Sequence, residues 1–158
     1  MTDPIRKTVT VPLHPDAAFD LFTDKLGDWW PVETHSISGA NGKRPKKVKV
    51  DKKKGGHITE TKADGEPTRW ATVTRWEPGR AFGLSWYVGR DEDEATDIMV
   101  VFTPVDTGTR VDLVHDGFDR LAETAMMQRE NYDHGWSVVL SERYRVFCQS
   151  WAKSAAVT

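Results

Sequence analysis

The sequence predicts an α+β fold: a curved antiparallel sheet of about seven strands wrapped around a long C-terminal helix, with a short N-terminal helical segment and an apolar cavity between sheet and helix. Three observations predict it. Tight-turn sequences punctuate the middle of the chain at short intervals, as in an antiparallel meander. The apolar period then changes from two to helical spacing in the last third. Seven tryptophans are spread over both halves, and aromatic side chains of that size dominate cores and binding surfaces.

Each element follows from local chemistry. Ile5 to Val11 alternates and is rich in β-branched residues, so it reads as the first strand, ended by Pro12. Pro15 with Asp16 starts a helix, since proline suits the first helical position and an acid suits the first turn. Ala18, Leu21, Phe22 and Leu26 give that helix one apolar face, and Gly27 is expected to stop it. Trp29-Trp30-Pro31 follows as a junction. Turns are expected at Gly55-Gly56, Asp64-Gly65, Glu77-Pro78-Gly79-Arg80 and Asp106-Thr107-Gly108, the last as a three-residue loop with glycine at positive φ. Between them lie strand-like segments near 46–53, 57–63, 67–77, 81–88, 96–104 and 109–116. Trp136, Val139, Leu140, Tyr144, Phe147 and Trp151 form the final helical stripe, in a helix starting near 121–126 and ending near Lys153. Gly135 inside it costs about 1 kcal/mol relative to alanine and marks a kink or a close approach of another backbone.

Length and composition bound the function. The 158 residues fit one domain, 1–158, able to bury roughly 70% of its unfolded surface. A formal net charge of −2 gives no global field toward nucleic acid or membrane. The lone Cys148 excludes a disulfide framework. The N-terminus has no apolar signal core, and the run Ile98 to Phe102 is far too short to span a membrane. The expectation is a cytoplasmic protein without integral membrane association, monomeric or homodimeric.

Alternation places Thr68, Trp70, Thr72, Thr74 and Trp76 on one strand face; Phe82, Leu84, Trp86 and Val88 share another, and Val111, Leu113 and His115 a third. A face mixing Trp, Thr and His suits an apolar pocket with a few polar anchors; the alternative is an outward edge. The candidate cavity residues are Trp70, Trp76, Trp86, His115 and Trp136, with Trp30 and Met127 at the mouth. His115 reads either as a ligand anchor or acid–base group, or as a core histidine with a backbone partner.

The residues carry a family resemblance. Asp16-Ala17-Ala18-Phe19-Asp20-Leu21-Phe22-Thr23 resembles the first helix of the START-related, birch-pollen-allergen-like superfamily (SRPBCC). Trp29-Trp30-Pro31, Trp76-Glu77-Pro78-Gly79-Arg80, Val101-Phe102-Thr103-Pro104 with Gly108-Thr109-Arg110-Val111, and Gly135-Trp136 before Leu140 resemble its branch named after the activator of the heat-shock-protein-ninety ATPase. The resemblance implies a helix-grip fold. The superfamily includes hydrophobic-ligand carriers, aromatase/cyclases and co-chaperone domains, so fold alone does not choose among them.

Other constellations point away from metal, cofactor and nucleic-acid chemistry. No two histidines stand at zinc-helix spacing, and no cysteine pair exists. The basic run Lys43 to Lys54 lacks interleaved aromatics and fits a wetted edge strand. No serine sits in a nucleophile elbow, and no catalytic residue is assigned. The leading expectation is therefore a module binding a small hydrophobic or aromatic molecule. A cyclase- or hydrolase-like enzyme using the same cavity and a co-chaperone-like interaction domain are the alternatives.

Overall fold

The structure, a computed structural model, describes residues 2–157; Met1 and Thr158 lie outside the described residues. Strand β1 (Ile5–Val11) leads into helices α1 (Pro15–Thr23), α2 (Leu26–Trp29) and the one-turn α3 (Ile37–Ala40). Then come β2 (Lys47–Val50), β3 (His57–Thr61), β4 (Pro67–Glu77), β5 (Ala81–Trp86), β6 (Thr96–Val105) and β7 (Gly108–Asp116). A 3₁₀ stretch, Phe118–Thr124, precedes α4 (Ala125–Trp136), a π-helical segment (Ser137–Tyr144) and α5 (Arg145–Val157). The sheet has seven strands in the order β1-β7-β6-β5-β4-β3-β2, every neighbouring pair antiparallel. The chain crosses once from β1 to the opposite edge through α1–α3, and the meander brings it back to pair β7 with β1. Among the described residues no helix is long and apolar enough to cross a membrane.

Cross-strand register fixes the inner face. Phe82 pairs with Val100 and Val100 with Leu113; Leu84 pairs with Ile98 and Ile98 with His115. Residues directly opposite share a face, and all of these are buried. The predicted inner sets on β5 and β7 therefore hold. The set on β4 does not. Register shifts occur against β3 between Ile58 and Thr59, and against β5 between Val73 and Arg75. Each adds a residue, which swaps the face of the residues beyond it. Ala71 and Val73 come inward beside Trp70, Trp76 still faces Phe82, and Thr74 is exposed.

Three further details differ from expectation. Gly27 lies inside α2 instead of stopping a helix; a Cβ there would meet the Val48 carbonyl at 2.9 Å, so it permits close approach to β2. Gly108 pairs with Val105 across a two-residue loop, and a Cβ on it would stand 2.1 Å from the Val11 carbonyl. In the long helix, the buried residues Trp136, Leu140, Tyr144 and Cys148 recur every four residues, while Trp151 is 44% exposed. The π-helical segment explains this. Its wider turn slows the rotation of the stripe, so Cys148 replaces Trp151 on the core side.

Candidate ligand slot

Seven aromatic rings, Trp29 among them, fill one end of the sheet–helix space. Phe19 packs on Trp76 at 5.0 Å and on Phe102 at 5.3 Å; Phe22 packs on Tyr144 at 5.0 Å and on Phe82 at 6.1 Å. The edge-to-face geometry of these pairs contributes about 0.5–1.5 kcal/mol each beyond burial. Trp76 belongs to this closed end. It is brought together with none of the other predicted site residues.

The other end is built from tryptophans. Trp30, at the end of α2, lies 5.5 Å from Trp70, 5.7 Å from Trp86 and 5.8 Å from Trp136. Sheet and helix are thus sealed in the middle by indoles, and the remaining space opens at the rim. Two adjoining cavities of about 240 and 250 Å³ share Trp30, His35 and Tyr132. They form a slot between the segment 30–40, the end of β5 and one face of α4. Trp136 and Gly135 line it on the helix side and Trp86 on the sheet side.

The indole N–H groups of these four tryptophans are engaged inside the protein. Trp30 donates to the His35 carbonyl at 2.8 Å, Trp70 to Glu60 at 2.9 Å, Trp86 to the Tyr132 hydroxyl at 3.0 Å and Trp136 to His115 Nδ1 at 2.9 Å. The slot walls therefore present ring surface, with few donors. Besides the Gln128 and Asn131 amides, Tyr132 and His35 bring polar atoms to it. Tyr132 Oη accepts from Trp86, which leaves the phenolic proton to donate. His35 Nδ1 lies 2.7 Å from Thr34 Oγ1, whose own proton goes to the Pro31 carbonyl. In the Nδ1–H tautomer Thr34 accepts from the ring and Nε2, the ring atom beside Gly135, is an acceptor. Partial burial lowers the His35 pKa; the Glu33 carboxylate opposes this and Arg143 reinforces it.

His115 is fully buried behind Trp136. Its Nδ1 accepts from Trp136 and its Nε2 lies 2.7 Å from Thr96 Oγ1, so both ring nitrogens are occupied. Burial, and then the charge of Arg90, push its pKa down to about 3. It is a neutral ring that orients Trp136, with side-chain partners where a backbone partner was the sequence alternative. Trp70 likewise stands in a second row behind Trp30 and Trp86. Met127 is 56% exposed and lines neither cavity.

The sequence reading missed Glu60, which is wholly buried on the inner face of β3. Its carboxylate accepts from the amides of Ile37 and Ser38 at 2.8 and 2.9 Å, besides Trp70. Burial raises its pKa, but the bonds from Ser38, Ile37 and Trp70 outweigh this and leave it lowered. Glu60 thus pins the segment bearing His35 to the sheet. The signal was available: Glu60 stands two residues from Ile58 and so shares its inner face. The helical wall was also readable, since Gln128, Asn131, Tyr132, Gly135, Trp136 and Val139 keep three-and-four spacing.

A half-barrel sheet gripping a helix, with an aromatic slot at one end, defines a helix-grip domain. Residues 12–143 match the family described as "Activator of Hsp90 ATPase homolog 1-like protein", and the chain belongs to that family. Solved structures agree on the fold. An AHSA1-like protein from Aeromonas hydrophila is 17% identical, with 99% of this chain and 96% of that one covered and a TM-score of 0.62. A protein from Staphylococcus saprophyticus is 18% identical over 92% and 90% of the two chains, with a TM-score of 0.64. An anthrahydroquino-γ-pyrone synthase is 26% identical over 84% and 88%, with a TM-score of 0.58. No curated protein matches the chain.

Proposed function

We propose that the protein is a single binding domain for a small aromatic molecule, held in the slot between segment 30–40, β5 and α4. One observation carries the reading: the slot is walled by Trp30, Trp86 and Trp136, whose N–H groups are already satisfied, while Tyr132 and His35 offer one donor and one acceptor. Such a site recognises a flat ring by stacking and a carbonyl–hydroxyl pair by hydrogen bonds. Trp70 and His115 serve as supports for the walls. Trp76 and Met127 take no part in the slot.

The test is titration calorimetry with 2-naphthamide, a flat probe with a carbonyl. Binding is expected for the wild type and lost in Gly135→Leu, whose side chain enters the slot opposite His35. Retained affinity in Gly135→Leu, or no binding to the wild type, would overturn the reading.

A second reading is favoured by the synthase similarity. The same slot would promote pyrone-type ring closure by addition of a substrate hydroxyl to a carbonyl: the C–O bond forms as the C=O π bond opens, His35 Nε2 takes the hydroxyl proton, and Tyr132 donates its proton to the resulting alkoxide to give a hemiketal. It requires turnover of such a substrate with Tyr132→Phe reducing kcat by at least about 100-fold. Turnover unaffected by Tyr132→Phe would exclude it.

A further inference from the structure

Arg90 lies just beyond the slot, on the wall of a larger groove of about 590 Å³. Gln128 lines both spaces, so the groove continues the slot along α4. Arg69 and Thr68 stand on its β4 side, and Leu121 and Thr124 on its helical side. One Arg90 nitrogen, Nη2, reaches the Trp86 carbonyl at 3.3 Å. Its Nε is enclosed and has no hydrogen-bond partner, the one such side-chain atom among the described residues. Among the described residues Arg90 also forms no ion pair within 4.0 Å. Asp91 and Glu94 line the same groove as exposed carboxylates, and neither stands within 4.0 Å of its guanidinium. The guanidinium charge is felt inside the domain, since it helps lower the pKa of His115.

A half-buried guanidinium without a counter-charge and with an idle donor is an unfavourable arrangement for an empty protein. Its planar fork matches an oxyanion with two oxygens. We propose that the ligand of the slot is an aromatic acid, whose carboxylate passes Gln128 and pairs with Arg90. This pairing requires the Arg90 side chain to rotate so that Nε reaches the groove, where the carboxylate supplies the acceptor it lacks. Arg69 adds positive potential on the opposite wall. This proposal rests on the slot reading and extends it by the class of ligand.

The test compares 2-naphthoate with 2-naphthamide, which share a ring system and differ in charge, by calorimetry at pH 7. The wild type should bind 2-naphthoate at least about tenfold more tightly than the amide. Arg90→Gln should remove that preference, and Arg90→Lys should restore only part of it. Equal affinity of the wild type for both probes would overturn the proposal without any variant. So would an unchanged preference in Arg90→Gln. The slot reading fails separately: there the amide itself does not bind, or binds Gly135→Leu as well as the wild type. In that case both conclusions fall.

Discussion

The two ends of the sheet–helix space are equally aromatic and differ in where their polar atoms go. At the closed end, Trp29 donates to the Leu21 carbonyl, Thr23 to Phe19 and Tyr144 to Ala18. Every acceptor is backbone of α1, so the polar atoms bind the rings to one helix. At the open end Trp30 also donates to backbone, the His35 carbonyl, but Trp70, Trp86 and Trp136 donate to Glu60, Tyr132 and His115, side chains from three different elements. Side-chain partners of that kind hold walls at set positions around a space. Aromatic content therefore does not distinguish the two ends; the destination of most of their donors does.

The largest expected difference between the ends is in stability. Phe22 is 2% exposed and touches Trp29, Phe82, Phe102 and Tyr144. Phe22→Ala should lower the unfolding free energy by about 3–5 kcal/mol, measured by urea denaturation. Probe affinity of the folded fraction should stay unchanged. A comparable loss of affinity would show that the two ends are coupled.

Acid should act on the open end first. His115 has a folded pKa of about 3, below the roughly 6.5 of an unfolded histidine. The unfolded chain binds the extra proton, so stability is full above about pH 6.5 and is lost as pH falls toward the folded value. His115→Gln should flatten that upper part of the profile, and should cost about 1–3 kcal/mol at pH 7 for the partners left by Trp136 and Thr96. Glu60 also has a lowered folded pKa. Its contribution is present above the ordinary carboxylate pKa of about 4.3 and disappears below it as the folded group protonates. Glu60→Gln should therefore flatten only the lower part. Denaturation profiles from pH 7 to pH 3 would separate the two. An unchanged upper limb in His115→Gln would show that His115 is not held neutral.

Much of the fold was legible because turn residues and alternation act locally. The strand segments, the Pro15 helix start and the inner faces of β5 and β7 follow from residues within one element. The β4 face was misread because its two bulges arise from register with β3 and β5, which no single-strand pattern contains. Trp151 was misread because a π-helical segment changes the period without a distinctive residue. In the site, tryptophan content pointed to Trp30, Trp86 and Trp136. His35 was overlooked because it sits in the irregular stretch before α3, whose position depends on Glu60 from a distant strand.

The smallest effect bears most directly on what the open end is for. Gly135 sits in a helical interior, where alanine is favoured by about 0.4–1 kcal/mol. A Cβ there would meet His35 Nε2 at 3.7 Å, an ordinary contact, so nothing in the packing requires glycine. Gly135→Ala should therefore raise stability by about that amount, read as an upward shift in the urea midpoint. The added methyl also narrows the slot beside its acceptor, so affinity for 2-naphthamide should fall while stability rises. Opposite signs would mean that the open end keeps room for a ligand at the expense of helix stability. A gain in both would mean that the helix wall behaves as the closed end does, as packing alone.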